Sequence, residues 1–410
     1  MASGGSLAEG RRIGGRTGRG LPGFLLLFAA LYGAYGALSP FLPAFLRARG
    51  LSPASIADLL AAAMLVRLVA GPLAGRIADR RGAARPLLAL ALVLSGSFGF
   101  GFLAGHGFGL LLALALLQAV ATAPVAPLAD ALALPAAAGG RAFEYGWVRA
   151  AGSAAFILAS AGAGRLVEGH GHEAALVASG ALFLLAALAA LRLPVVQASR
   201  PESRPAKDGV RALLALPRFR RTVLAAALVI GAHALHDAFA VIVWAEQGIA
   251  AGAAGLLWAE SVAAEVAVFL WLGPWLLGRL GPPRVLALAA LAGALRWAVQ
   301  AETAALPVLA AIQLLHGLTF AALHLACLAL IEAGVPATLR ATALAVYGTL
   351  GLGLASALVT LAAGRLYAAF GAQAFLAMSA LSLAAVPLAL SLRGGHGASR
   401  PGQARLPWLP

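Results

Sequence analysis

Long apolar runs separated by short polar joints fill the sequence from Leu21 to Leu392. A hydrocarbon layer about 30 Å thick takes roughly 20 helical residues to cross, and about twelve runs of that kind can be drawn. Membrane barrels would instead show segments of about ten residues alternating apolar with polar, a pattern absent here. Inside lipid the backbone must bond within its own segment, so the runs are helices. The pattern predicts an all-α membrane protein with twelve transmembrane helices.

Taken in order, span one covers about 21 to 46 and contains Tyr32, Tyr35 and Pro40, and span two covers about 56 to 78 with Arg67 embedded in it. Spans three and four cover about 87–103 and 110–134; the latter is broken by Pro124, Pro127 and Pro135, and carries Asp130. Span five, about 143–166, opens with Tyr145 and Arg149, and span six covers about 174–193. The stretch 194–221 then turns rich in Pro, Ser, Arg and Lys, and reads as a polar connector. Span seven, about 222–244, carries His233, His236 and Asp237; span eight carries Glu265 within 256–272; span nine, about 285–299, carries Arg296. Span ten, about 306–330, carries Gln313, His316, Phe320 and His324. Spans eleven and twelve, about 341–366 and 375–392, are rich in Gly and Ala with Arg340 and Arg365 at their ends, and read as outer support because small residues permit close packing.

The two halves echo each other. Gly71-Pro72 followed by Gly75-Arg76 after span two is answered by Gly273-Pro274 followed by Gly278-Arg279 after span eight. Parallel repeats of this kind place a binding site between the halves near the midplane. The division is then a tail over 1–20, six-helix bundles over 21–193 and 222–393 joined by the basic linker 194–221, and a second tail over 394–410.

Composition agrees: 61% of residues are hydrophobic and only 11% charged, against about 25% charged in a soluble domain. A net charge of +15 in a soluble protein would suggest nucleic acid. Here the basic residues gather in alternate loops instead: Arg11, Arg12, Arg16 and Arg19; then Arg76, Arg80, Arg81 and Arg85; then the connector. By the positive-inside rule those loops and both termini are cytoplasmic, with Arg47 and Arg49 the exceptions on the other side. The charge therefore orients the chain in a bilayer and implies no nucleic-acid partner. The first span is read as retained, because no cleavage site follows the basic N-terminus. Cys327 is the only cysteine, which excludes an intramolecular disulfide and a thiolate metal cluster.

Charge inside the apolar runs carries the chemistry. A carboxylate in hydrocarbon is costly enough that it faces protein or water and has partners. Glu265 sits near the middle of its run, with Arg296, His316 and His324 as candidate partners downstream. Trp258 precedes it by seven residues, about 20° away around a helix, so both can face one cavity. Glu260 falls on another face. Glu265 serves either as a structural ion pair or as a proton carrier, and proton carriage is the preferred reading. Asp130 and Arg149 lie at similar depth on the hairpin of spans four and five and predict a pair, structural or functional. Arg67 either snorkels and pairs within its own half or lines a pore. Gln313, His316, Phe320 and His324 fall within about 140° of arc and predict one polar and aromatic stripe. His233 and Asp237 share a helical face and predict a pair lining the interior, but three ligands without a fourth make a poor metal site. A membrane-embedded enzyme is disfavoured, since no nucleophile motif or repeated histidine spacing is present. No cofactor is implied beyond a proton gradient.

Gly75-x-x-x-Asp79-Arg80-x-Gly82 after span two, with twelve spans and a basic central loop, resembles the major facilitator superfamily. Those loop residues read as a conformational latch, with Asp79 capping the next helix or pairing with an arginine of the other bundle. A narrower likeness is to its 3-phenylpropionate permease branch, related to sugar and nucleoside proton symporters. It rests on Pro-Leu-Ala-Asp-Ala-Leu at 127–132, Tyr-Gly-x-Val-Arg at 145–149, Gly-Ala-His-Ala at 231–234, Ala-Glu-Val at 264–266, Arg-Trp at 296–297 and Gln-x-Leu-His at 313–316. The resemblance implies two pseudo-symmetric six-helix bundles and proton-coupled import by alternating access across the inner membrane, by a monomer. It implies roles in proton coupling for Glu265, Arg296, His316 and Asp130. One departure is that no acid follows His316 by one turn, so proton carriage falls to Glu265 with His316. An aromatic carboxylate is the leading substrate, its charge met by Arg149 or Arg296 and its ring by Tyr145, Trp258 and Phe320, with His233, Gln313 and His324 completing the site. The alternatives are a sugar or nucleoside symporter, or a proton-driven exporter.

Overall fold

The computed structural model describes residues 20–138, 143–193 and 209–393. The predicted tails, apart from Gly20 and the residues that close span twelve, and positions 194–208 of the connector lie outside the described residues. Every described element is helical. Eleven runs are long and apolar enough to cross a membrane, and the last of them, Ala337–Leu390, spans 54 residues. Gly371, at φ 55, and the short turn Gly371–Ala374 divide that run into a crossing that ends at Phe370 and another that begins at Phe375. Among the described residues the crossings therefore number twelve.

Local chemistry sets the helix limits. Ser52 caps span two, Pro53–Arg81, by accepting from the Ser55 N–H, and Pro53 fills the first turn where its missing donor is not needed. Gly82 ends the same helix in the left-handed region at φ 61, its N–H bonded to the Ala78 carbonyl. Pro40 breaks span one into Leu21–Leu38 and Leu42–Ala48, and Pro124 breaks span four after Thr122.

The bundles repeat one packing scheme. Span one lies against five and six, and three against six; likewise seven lies against eleven and twelve, and nine against twelve. Between bundles, span five packs on eight and span two on eleven. Glycines make these crossings close: a Cβ on Gly255 would stand 2.6 Å from the Ser160 carbonyl oxygen, and one on Gly364 would stand 2.6 Å from that of Pro53. Span eleven is thus a structural partner of span two and not outer support, because its small residues face the other bundle.

The cores show where the bundles meet. One apolar cluster crosses between them, joining Phe41, Phe45 and Phe102 to Phe239, Trp244 and Phe375. Toward the end that carries Gly82, each bundle instead encloses a core of its own, around Phe28 and Leu92 in one and Leu286 and Ile331 in the other. The Asp58–Arg365 ion pair, 3.0 Å, also joins spans two and eleven at the closed end. The bundles meet at one end and part toward the other, and a cavity of about 720 Å³ lies between them.

Candidate functional site

Spans one, two, four, seven, eight, ten and eleven all contribute to the cavity wall. The wall is mainly apolar. Tyr35, Phe156 and Phe183 stand on one side and Trp258 and Phe320 on the other, while its charged groups are Arg67, Asp237 and Glu265. A space lined by rings with a few placed polar groups is what a small organic ligand needs.

The far wall is built around Arg296, which is wholly buried. It donates from Nη1 to His316 Nδ1 at 3.0 Å, and from Nη2 to Gln313 Oε1 and, at 3.5 Å, to His236 Nε2. Its guanidinium also lies 4.4 Å from the Trp297 ring centroid, so neutral acceptors and a π face surround this cation. Because arginine can only donate, His316 Nδ1 must accept. Neutral His316 therefore carries its proton on Nε2, which stands 3.6 Å from Glu265 Oε2. The result is a chain from cavity to core: Glu265, His316, Arg296, Gln313. A direct Glu265–Arg296 pair, one of those the sequence offers, is replaced by a contact through His316.

Gly317 makes that contact possible. A Cβ there would meet the Ala264 carbonyl oxygen at 2.6 Å, so only glycine lets span ten approach span eight at the level of Glu265. The backbone is wound into π turns at Gly317–Ala322, at Val268–Leu272 on span eight and at Tyr347–Leu354 on span eleven. Such turns insert a residue and rotate the remainder of the helix about its axis. The predicted stripe on span ten is consequently divided. Gln313 is fully buried on Arg296, Phe320 stacks on His316 and faces the cavity, and His324 turns away to bond the Tyr347 hydroxyl at 3.0 Å.

On span seven, His233 reaches the cavity edge, but both ring nitrogens are engaged. Nδ1 bonds the Val229 carbonyl at 2.9 Å, leaving Nε2 to accept from Thr319 at 2.9 Å. Trp258 stacks on His236 with ring centroids 5.0 Å apart. Asp237 is exposed to the cavity, without a hydrogen bond or ion pair among the described residues, and the Arg296 charge acts on it electrostatically. The predicted His233–Asp237 pair is not formed. Among the described residues no group of His, Cys, Asp or Glu is arranged to hold a metal ion.

In the first bundle, Tyr145 donates to Asp130 Oδ1 at 2.6 Å, and Arg149 lies 3.9 Å from the same oxygen while bonding the Tyr32 hydroxyl. The Arg149 guanidinium also covers the Tyr32 ring at 5.0 Å. This cluster stands apart from the cavity-lining residues, although Arg149 acts electrostatically on Glu265. Of the loop residues, Gly82 serves as the helix cap described above, and Gly75 has open space at its Cβ position. Asp79 and Arg80 are exposed, and Asp79 neither caps the next helix, whose N-cap is Ala83, nor pairs with an arginine among the described residues. The halves are apart at that end, so a cross-bundle partner is out of reach. Sequence reasoning passed over Gln118, Gln300 and Thr319. Only their placement in apolar runs marked them.

Residues 21–377 match the model of the MFS_1-like family. The chain is 33% identical over 363 residues to a probable 3-phenylpropionic acid transporter of Escherichia coli K12, covering 86% of this chain and 93% of that protein. It is 30% identical over 346 residues to a maltose permease of Geobacillus stearothermophilus, covering 84% and 86%. Among solved structures it resembles the nucleoside transporter NupG, with TM-score 0.78 at 17% identity over 92% of this chain and 99% of that one. It also resembles a bacterial homologue of the human lysosomal transporter Spinster in an inward-facing, unoccupied conformation, with TM-score 0.71 at 16% identity over 95% and 98%. Twelve crossings in two like bundles around a ring-lined cavity, together with this kinship, establish that the chain belongs to the MFS_1-like family of the major facilitator superfamily and is a multi-pass membrane transporter.

Proposed function

We propose that this transporter imports a small aromatic carboxylate together with a proton, by alternating access, as a monomer in the inner membrane with both termini cytoplasmic. The observation that carries the reading is the Glu265–His316–Arg296 chain opening onto a cavity walled by aromatic rings. Glu265 takes the proton at the cavity surface, and His316 Nε2 faces it. Loss of the Glu265 charge frees His316 to turn, which alters what holds Arg296 and so the packing of spans eight, nine and ten. With the basic loops inside the cell, the parted end is cytoplasmic and the described state is inward-facing. One proton carried with one carboxylate makes the loaded protein electrically no different from the empty one, which favours reorientation through an apolar layer.

The kinship to a probable 3-phenylpropionic acid transporter supports the cargo class. Kinship to a maltose permease keeps a sugar as the competing cargo, yet a wall made largely of aliphatic and aromatic side chains offers few partners for a ring of hydroxyls. The test is uptake of labelled 3-phenylpropionate by proteoliposomes under an acid-outside gradient. Accumulation that collapses when the gradient is dissipated supports the reading; gradient-independent behaviour with every aromatic acid tried overturns it. Extrusion from loaded vesicles under the same gradient would assign export instead.

A further inference from the structure

Resting on the aromatic-carboxylate reading, the geometry points to Arg67 of span two, with Gln118 of span four beside it, as the group that holds the substrate's carboxylate. Three arginines stand at or near the cavity, and two are already engaged. Arg296 is wholly buried, with His316, Gln313 and His236 as partners, and does not line the cavity. Arg149 is held by Asp130 and Tyr32. Arg67 lines the cavity, is exposed there, and makes no hydrogen bond or ion pair among the described residues.

Its position excludes a surface role. Arg67 is the middle residue of the helix Pro53–Arg81, with about 21 Å of helix on either side at 1.5 Å per residue, so its side chain cannot snorkel to either membrane face. It lies on the helical face that meets the cavity, one turn from Ala63 and Met64 and two from Leu60, whereas Leu65 and Val69 are exposed on the opposite face. A cation placed at that depth needs an anion, and this one faces the space where cargo sits.

Gln118 gives an independent pointer. It is 5% exposed, lines the cavity, and neither its Nε2 nor its Oε1 has a hydrogen-bond partner. Buried amides are rarely left unpaired, and a turn of this side chain toward the cavity would let a ligand satisfy it. The two groups are at one level. A Cβ on Gly71 would touch Ala123, so four residues earlier on each parallel helix Arg67 comes opposite Ala119, next to Gln118. Tyr35, whose hydroxyl bonds the Thr122 carbonyl at 3.3 Å, is within electrostatic reach of Arg67 and closes the same corner. A carboxylate seated on the Arg67 fork would accept from Gln118 Nε2 as well, leaving the substrate's ring to lie toward Trp258 and Phe320 across the cavity.

The experiment is calorimetric binding of 3-phenylpropionate and of its uncharged amide, 3-phenylpropionamide, to purified full-length protein and to Arg67→Gln. The wild type is expected to prefer the acid by at least about tenfold, and R67Q to lose that preference while binding the amide within about twofold of the wild type. R67Q that keeps the acid-to-amide ratio overturns the anchor and leaves the cargo class standing, as does a wild type that binds both probes equally. A wild type that binds neither probe removes the cargo class and the anchor with it. Should R67Q fail to fold, Met64→Cys decides. Met64 lines the cavity one turn from Arg67, and the native Cys327 is buried. Protection of M64C from maleimide by the acid and not by the amide supports the site; absence of protection by the acid overturns it.

Discussion

Gly317→Ala tests the proton chain through a single methyl group. The added carbon would stand 2.6 Å from the Ala264 carbonyl oxygen and 2.7 Å from Val268 Cγ2, where ordinary contact begins at 3.4 Å. Spans eight and ten must then separate by about 0.8 Å, a degree of overpacking that destabilises a close-packed interior by about 1–3 kcal/mol. Glu265 follows Ala264 and His316 precedes Gly317, so the same displacement falls on a contact that is now 3.6 Å. It moves the pair beyond the roughly 4 Å within which such groups act as an ion pair. Two readouts are expected to change together: the midpoint of thermal unfolding falls by a few degrees, and proton-driven accumulation in proteoliposomes is lost while exchange of internal for external substrate persists. Gly278→Ala is the control, because nothing lies within 4 Å of a Cβ there, and it should be neutral or slightly stabilising. G317A that keeps full accumulation and an unchanged midpoint would refute the view that this glycine sets the Glu265–His316 distance.

The geometry predicts three further outcomes. Glu265→Gln removes the titrating oxygen while keeping the shape, so accumulation under a pH gradient should vanish and exchange should lose its pH dependence; an E265Q protein that still concentrates substrate would assign the proton to another group. Arg296→Lys cannot serve His316, Gln313 and His236 at once, since an ammonium lacks the planar fork, and each abandoned acceptor costs about 1–3 kcal/mol, measurable as a lowered unfolding midpoint. Asp58→Asn breaks the 3.0 Å pair with Arg365 at the closed end, and because both partners are exposed the shift toward opening there should be no more than about fivefold, read as faster maleimide labelling of Ser39→Cys from that side.

The course of the chain was legible because the solvent is uniform. A helix that must cross about 30 Å of hydrocarbon needs a fixed length of apolar residues, and no strand can substitute, so run length alone placed the spans. The break at Pro124 was equally legible, since a missing N–H is local chemistry, whereas Pro127 falls in the first turn of the helix Val125–Ala138, where no donor is needed, and Pro135 lies inside that helix without ending it. Which spans would face each other was not. Glycine and alanine in span eleven suit the periphery and the interface alike, and it is the seating of Gly364 against Pro53 and Ala57 that shows how closely span eleven meets span two.

The candidate site was half legible, for a different reason. The sequence marks charge in lipid, and so it found Glu265, Arg296, His316, Asp130, Arg149 and Arg67. Partner assignment then relied on regular helical periodicity, which spans eight, ten and eleven abandon at the level where the chemistry lies. Each π turn adds a residue to its circuit, so residues on either side of Gly317–Ala322 do not share the face that a count of 3.6 assigns them. That is why His324 goes to Tyr347, while His316 and Phe320 keep to the cavity side. Three π turns lie in the second bundle, on spans eight, ten and eleven, with none within the described residues of the first. The first bundle supplies Arg67 and Gln118 on regular helix. On the proposed reading, cargo is held on the wall of regular helix, and the proton is taken by the wall whose helices carry the π turns.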